Sequence, residues 1–162
     1  MKKFFHMSRE KLNAGLVLNP KGRNYVADEV EAVLEQQRPK HCDCRQDSVF
    51  LSETEDSSKH GFEYDAGYLH FAIPFERYVK RDNYWIGQLQ LRLNSNAQIK
   101  KMCDGTLENL SNDDLAKNYW NGVPSQSPNW EIVCASATID SLVQDDLVTF
   151  RSGGLLGALK GN

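Results

Sequence analysis

Apolar and polar positions along this chain fall into short runs. Lys3-Phe4-Phe5-His6-Met7-Ser8 and Val49-Phe50-Leu51-Ser52-Glu53 each carry a few apolar residues and stop on a polar one. Such runs predict buried strands, here over residues 3–7 and 48–52, that deliver a side chain to a strand end. The first offers an imidazole and the second a hydroxyl. Tyr68-Leu69-His70-Phe71-Ala72-Ile73 predicts a third strand closed by Pro74. Residues 12–25 are rich in turn formers around a short apolar step, Leu16-Val17-Leu18, and read as a loop.

Helical spacing shows in two places. Asp28-Glu29 set acids at a helix start, Val30, Val33 and Leu34 follow on one face, and Arg38-Pro39 ends the run, so 27–37 reads as a helix. Residues 107–120 read as a second helix, with Ser111 and Asp114 at capping-box spacing, an apolar face of Leu115, Tyr119 and Trp120, and a stop at Asn121-Gly122. Residues 85–93 fit a strand or a helix equally well. Residues 53–65 read as a polar loop with room for one helical turn. Residues 130–143 hold one or two strands with a turn near Ser141. Together these predict an α+β fold: small, split or bent, antiparallel-rich sheets with flanking helices. The expected organisation is one domain over 1–150 and a Gly-rich tail over 151–162.

Composition narrows the function classes. The 162 residues are 40% apolar and 25% charged, ordinary for a globular protein. A net charge of -3 disfavours a broad nucleic-acid surface. No apolar stretch approaches membrane-spanning length, and Lys2-Lys3 precede only two Phe, so a cytoplasmic protein without membrane partners is expected. Of the four cysteines, Cys42 and Cys44 cluster with His41, but a zinc site needs a second ligand pair that Cys103 and Cys134 do not form. No metal is expected, and Cys134 reads as a small buried hydrophobe. The phosphate-loop, dinucleotide, zinc-protease and α/β-hydrolase signatures are absent from the chain.

Phe4-Phe5-His6-Met7-Ser8, the Leu12/Gly15/Leu18 segment, Val49-Phe50-Leu51-Ser52, Tyr68 to Ala72, Tyr119-Trp120-Asn121-Gly122 and Trp130-Glu131-Ile132-Val133 resemble small bacterial ADP-ribosyltransferases of the rifampin type. They also resemble uncharacterised bacterial domains related to these. The resemblance spans most of residues 3–143. It implies an ADP-ribosyltransferase-like fold that takes NAD as co-substrate in a cleft between two small sheets. It also implies cleavage of the nicotinamide–ribose bond and transfer of ADP-ribose to an acceptor: a protein, a nucleic acid or a small molecule. The expected roles are those of a mono-ADP-ribosyltransferase serving as toxin, phage-borne modifier or resistance enzyme.

Carried over residue by residue, the resemblance places His6, Ser8, Arg9, Phe50 and Ser52 at the cofactor. His6 would bond the ribose, and Arg9 would reach the phosphates. Phe50 stands where the rifampin type has a Tyr, so stacking is kept and the phenolic hydrogen bond is lost. Two carboxylates compete for the catalytic role of stabilising an oxocarbenium charge. Asp82 follows the third strand and matches the rifampin pattern slightly better. Glu131 starts a late strand, as in the wider superfamily. Each residue also has a bland alternative: Asp82 an exposed loop charge, Glu131 a solvent-facing strand residue, Ser52 a turn cap, His6 a strand-edge imidazole. A catalytically inactive binding or inhibitor protein on the same fold is the competing function.

Overall fold

The structure is a computed structural model describing residues 1–22, 26–60, 66–75, 77–143 and 148–149. Its elements, in order, are β1 (Phe4–Ser8), β2 (Val17–Leu18), α1 (Asp28–Gln36), β3 (Val49–Ser52), α2 (Glu55–His60), β4 (Ala66–Pro74), β5 (Tyr78–Asp82), α3 (Tyr84–Leu93), α4 (Ala97–Lys100), α5 (Asn112–Trp120), β6 (Trp130–Cys134), β7 (Ala137–Leu142) and β8 (Val148–Thr149). The chain divides into two compact units. One comprises Met1–Pro20, Ser48–Val79 and Trp130–Asn162, the other Lys21–Asp47 and Lys80–Asn129. The Gly-rich tail 151–162 lies outside the described residues.

The first unit is built on antiparallel strands in the order β2-β7-β4-β1-β3-β6, with β8 beside β4. The ladders are unequal. β1 pairs with β4 over five residues, Phe4↔Ala72 to Ser8↔Tyr68, and β3 pairs with β6 over four, Val49↔Cys134 to Ser52↔Glu131. Between β1 and β3 the ladder is the single pair Phe5↔Ser52. The sheet is therefore two well-paired blocks joined at one point. Side chains alternate between faces. On one face Phe4, Val49, Leu51, Ala72, Ile132, Cys134, Ala137 and Ile139 form the core. On the other, Met7 and Leu69 pack with Phe5 and Val143.

The second unit packs α1, α3 and α5 around Val30, Leu34, Trp85, Ile86, Leu89, Leu115, Tyr119 and Trp120. Residues 84–93 are helical, which settles the ambiguity of period. Trp85, Ile86 and Leu89 reach this core from one side, as residues three and four apart do. The alternating Gln88 is also buried, its Oε1 accepting from the Asp104 N–H at 2.8 Å. The capping box forms as the sequence suggests: Ser111 Oγ accepts from the Asp114 N–H, and the Asp114 carboxylate accepts from the Ser111 N–H. It starts α5 at Asn112, so the helix begins five residues later than the apolar pattern implied, with a 3₁₀ turn at Gly105–Leu107 before it.

Other boundaries shift for local reasons. The Leu16-Val17-Leu18 step is no loop; Val17 and Leu18 pair with β7. The β6–β7 turn falls at residues 135–136, because the ladder continues through Ser141 opposite Phe71. Residues 78–82, to which the sequence pattern assigns no element, form a strand. Among the described residues, no helix is long and apolar enough to cross a membrane.

Candidate functional site

The register assembles a transverse row on one face of the first unit's sheet. Phe71 on β4 pairs with Phe5 on β1, Phe5 with Ser52 on β3, and Ser52 with Glu131 on β6. Paired residues project to the same face, so two aromatic rings, a hydroxyl and a carboxylate stand in line across four strands. All four are half-buried. At about 4.8 Å per strand, Phe5 and Glu131 are about 10 Å apart at their Cα atoms. The Phe5 and Phe71 rings lie 5.2 Å apart, and Lys3 Nζ sits 5.8 Å from the Phe71 centroid while pairing with Asp140 at 2.6 Å. Phe50, two residues before Ser52, shares the row's face. The row crosses the sheet where β1 and β3 make their single pair.

His6 and Ser8 lie on the opposite face of β1, since they alternate with Phe5. His6 pairs with His70. Ser8 closes a local turn, its Oγ accepting from the Glu10 N–H at 3.2 Å. Arg9 follows β1 and is exposed. The register thus brings Phe50, Ser52 and Glu131 together and turns His6 and Ser8 away from them.

The two candidate carboxylates belong to different units. Asp82, at the end of β5, is fully buried, so it is no exposed loop charge. Its Oδ1 accepts from the N–H groups of Tyr84 at 3.1 Å and Asn129 at 2.9 Å, and its Oδ2 from Ser125 N–H at 2.7 Å. The carboxylate is a fastener that ties the start of α3 to residues 125–129. The signal was in the sequence: an Asp just before a helix start accepts backbone N–H groups there.

His70, which the sequence marks only as part of a strand, is fully buried beside the core. Its Nε2 accepts from the Leu12 N–H at 2.9 Å, fastening the loop after β1 to the sheet. Burial pushes the His70 imidazole below its usual range, against an upward pull from the carbonyls of His6 and Tyr68. Cys134 is buried as expected, and burial raises its thiol to about 11. Among the described residues, no three His, Cys, Asp or Glu side chains converge to hold a metal ion.

No protein-family model matches the chain, and no curated protein matches it.

Proposed function

We propose that the chain is an NAD-dependent mono-ADP-ribosyltransferase on an ADP-ribosyltransferase-like fold, with Glu131 as its catalytic carboxylate. The observation that carries this reading is the row Phe71–Phe5–Ser52–Glu131. An aromatic floor suits the flat nicotinamide ring. A hydroxyl beside it can hold the ribose, and a carboxylate one strand further can face the anomeric carbon. As the nicotinamide–ribose bond breaks, its electron pair leaves with nicotinamide and positive charge grows on the ribose. Glu131 stabilises that charge, and an acceptor nucleophile then bonds the anomeric carbon and gives up its proton. Asp82 is set aside for this role because both its oxygens are committed to backbone N–H groups. The chemistry asks for no metal.

The test is release of nicotinamide from NAD by the purified protein, wild type against Glu131→Gln and Ser52→Ala. His6→Ala and Arg9→Ala probe the ribose and phosphate contacts that the resemblance implies. Release by wild type that falls about 100-fold or more in Glu131→Gln supports the reading; release untouched by that change overturns it. A second reading, an inactive binding or inhibitor protein on the same fold, is favoured by the register that turns His6 away from Glu131 and by phenylalanine at position 50. It expects NAD or a partner to stabilise the protein thermally with no nicotinamide released.

A further inference from the structure

The second unit contains four described arginines, and three have oxygen acceptors. Arg38 Nε bonds Glu35 at 2.7 Å, Arg45 pairs with Glu31 at 3.3 Å, and Arg92 donates to the carbonyls of Leu107 and Leu110. Arg81 differs. It is 9% exposed; among the described residues its buried Nε has no hydrogen-bond partner and its Nη2 bonds the Cys42 thiol at 3.5 Å. The Trp120 ring centroid lies 5.9 Å from its Cζ, and that ring is fixed by its own Nε1–H bond to the Leu34 carbonyl at 2.7 Å. A thiol and an aromatic face are weak compensation for a desolvated guanidinium, which ordinarily meets a carboxylate or several carbonyls.

We propose that Arg81 anchors an anion site that binds the carboxylate or phosphate group of a small-molecule ligand. The missing partner is the reason. Arg38 reaches the same segment, donating Nη1 to the Cys42 carbonyl, but its charge is matched by Glu35, whereas Arg81 has no carboxylate paired with it among the described residues. Gly122, at the C-terminal stop of α5 with φ +63°, packs against this segment: a Cβ there would meet the Lys80 carbonyl oxygen at 3.0 Å and Arg81 Nη1 at 3.6 Å. The Arg81 fork offers parallel N–H donors, the geometry a carboxylate or phosphate accepts from. The rigid Trp120 ring and the Cys42 thiol wall the site and hold the fork in place. This site is independent of the row on the first unit's sheet.

Sodium phosphate and sodium acetate, each titrated into the full-length protein against sodium chloride at equal ionic strength, test the assignment by thermal unfolding. The expected result is a saturable rise in Tm with at least one oxyanion beyond that with chloride, and the stronger of the two identifies the ligand group. Arg81→Met should weaken the response at least ten-fold, and Arg81→Lys, which keeps the charge but not the fork, should fall between. An NMR titration of the wild-type arginine Nε–H resonances reads the same event without any variant, one slowly exchanging Nε–H shifting with the added oxyanion. Equal responses in wild type and the Arg81 variants overturn the proposal. So does a wild type whose melting and Nε–H resonances ignore both oxyanions.

Discussion

Ser52 and Glu131 are register partners across β3 and β6, so the hydroxyl and the carboxylate project from one face of the sheet. Both residues are half-buried. Glu131→Gln is nearly isosteric there and should alter stability by no more than about 0.5 kcal/mol. On the proposed function it should lower nicotinamide release about 100- to 1,000-fold. Steady-state release measured alongside the denaturation midpoint separates the two effects.

Asp82 should behave in the opposite sense. Removing its carboxylate in Asp82→Ala leaves the N–H groups of Tyr84, Ser125 and Asn129 without their acceptor. Each buried donor left unsatisfied costs about 1–3 kcal/mol, so a loss of about 3 kcal/mol or more is expected. Urea unfolding measures it as a drop in midpoint at constant slope. A variant as stable as wild type would show that the three bonds contribute little.

His70 gives the fold a pH dependence whose sign follows from burial. Its folded-state pKa is depressed, so the unfolded chain binds the proton more readily. The contribution is complete above the unfolded value of about 6.5 and declines as pH falls below it. Unfolding free energy should therefore drop between about pH 7 and pH 5. The difference from His70→Gln, which keeps an acceptor for the Leu12 N–H, isolates this residue from the other histidines. A difference that stays flat across that window would mean His70 binds its proton equally in both states.

Local chemistry was legible in the sequence wherever a few adjacent residues decide the outcome. The Ser111–Asp114 box, the acids opening α1 and the apolar runs of β1, β3 and β4 each act within one turn or one strand, and each element formed. What distant segments decide was not legible. Asp82, in the run Lys80-Arg81-Asp82-Asn83, had an exposed loop charge as its alternative reading, and Arg81 carried no signal of its own. They are buried because Ser125 and Asn129 reach Asp82, and Cys42 and Trp120 reach Arg81. The candidate site divides the same way. Ser52 and Glu131 could each be picked out alone, but their pairing, and the turning of His6 to the other face, depend on a register that no single run encodes.

The Ser111 cap offers a direct check on this local logic. Ser111 Oγ accepts from Asp114 N–H at 3.1 Å. The Ser111 hydroxyl, at 2.7 Å, and the Ser111 N–H, at 2.9 Å, both donate to the Asp114 carboxylate and hold it below its usual range. Ser111→Ala removes the acceptor for one N–H at the start of α5 and should cost about 1 kcal/mol. The cost should exceed that of Ser111→Gly, because glycine is tolerated at this position far better than alanine. Because α5 carries Leu115, Tyr119 and Trp120 into the second unit's core, fraying at its start should loosen their packing. Tryptophan fluorescence during urea unfolding should report the shift. An alanine variant indistinguishable from wild type would place the stability of α5 in its buried face alone, with the cap contributing nothing measurable.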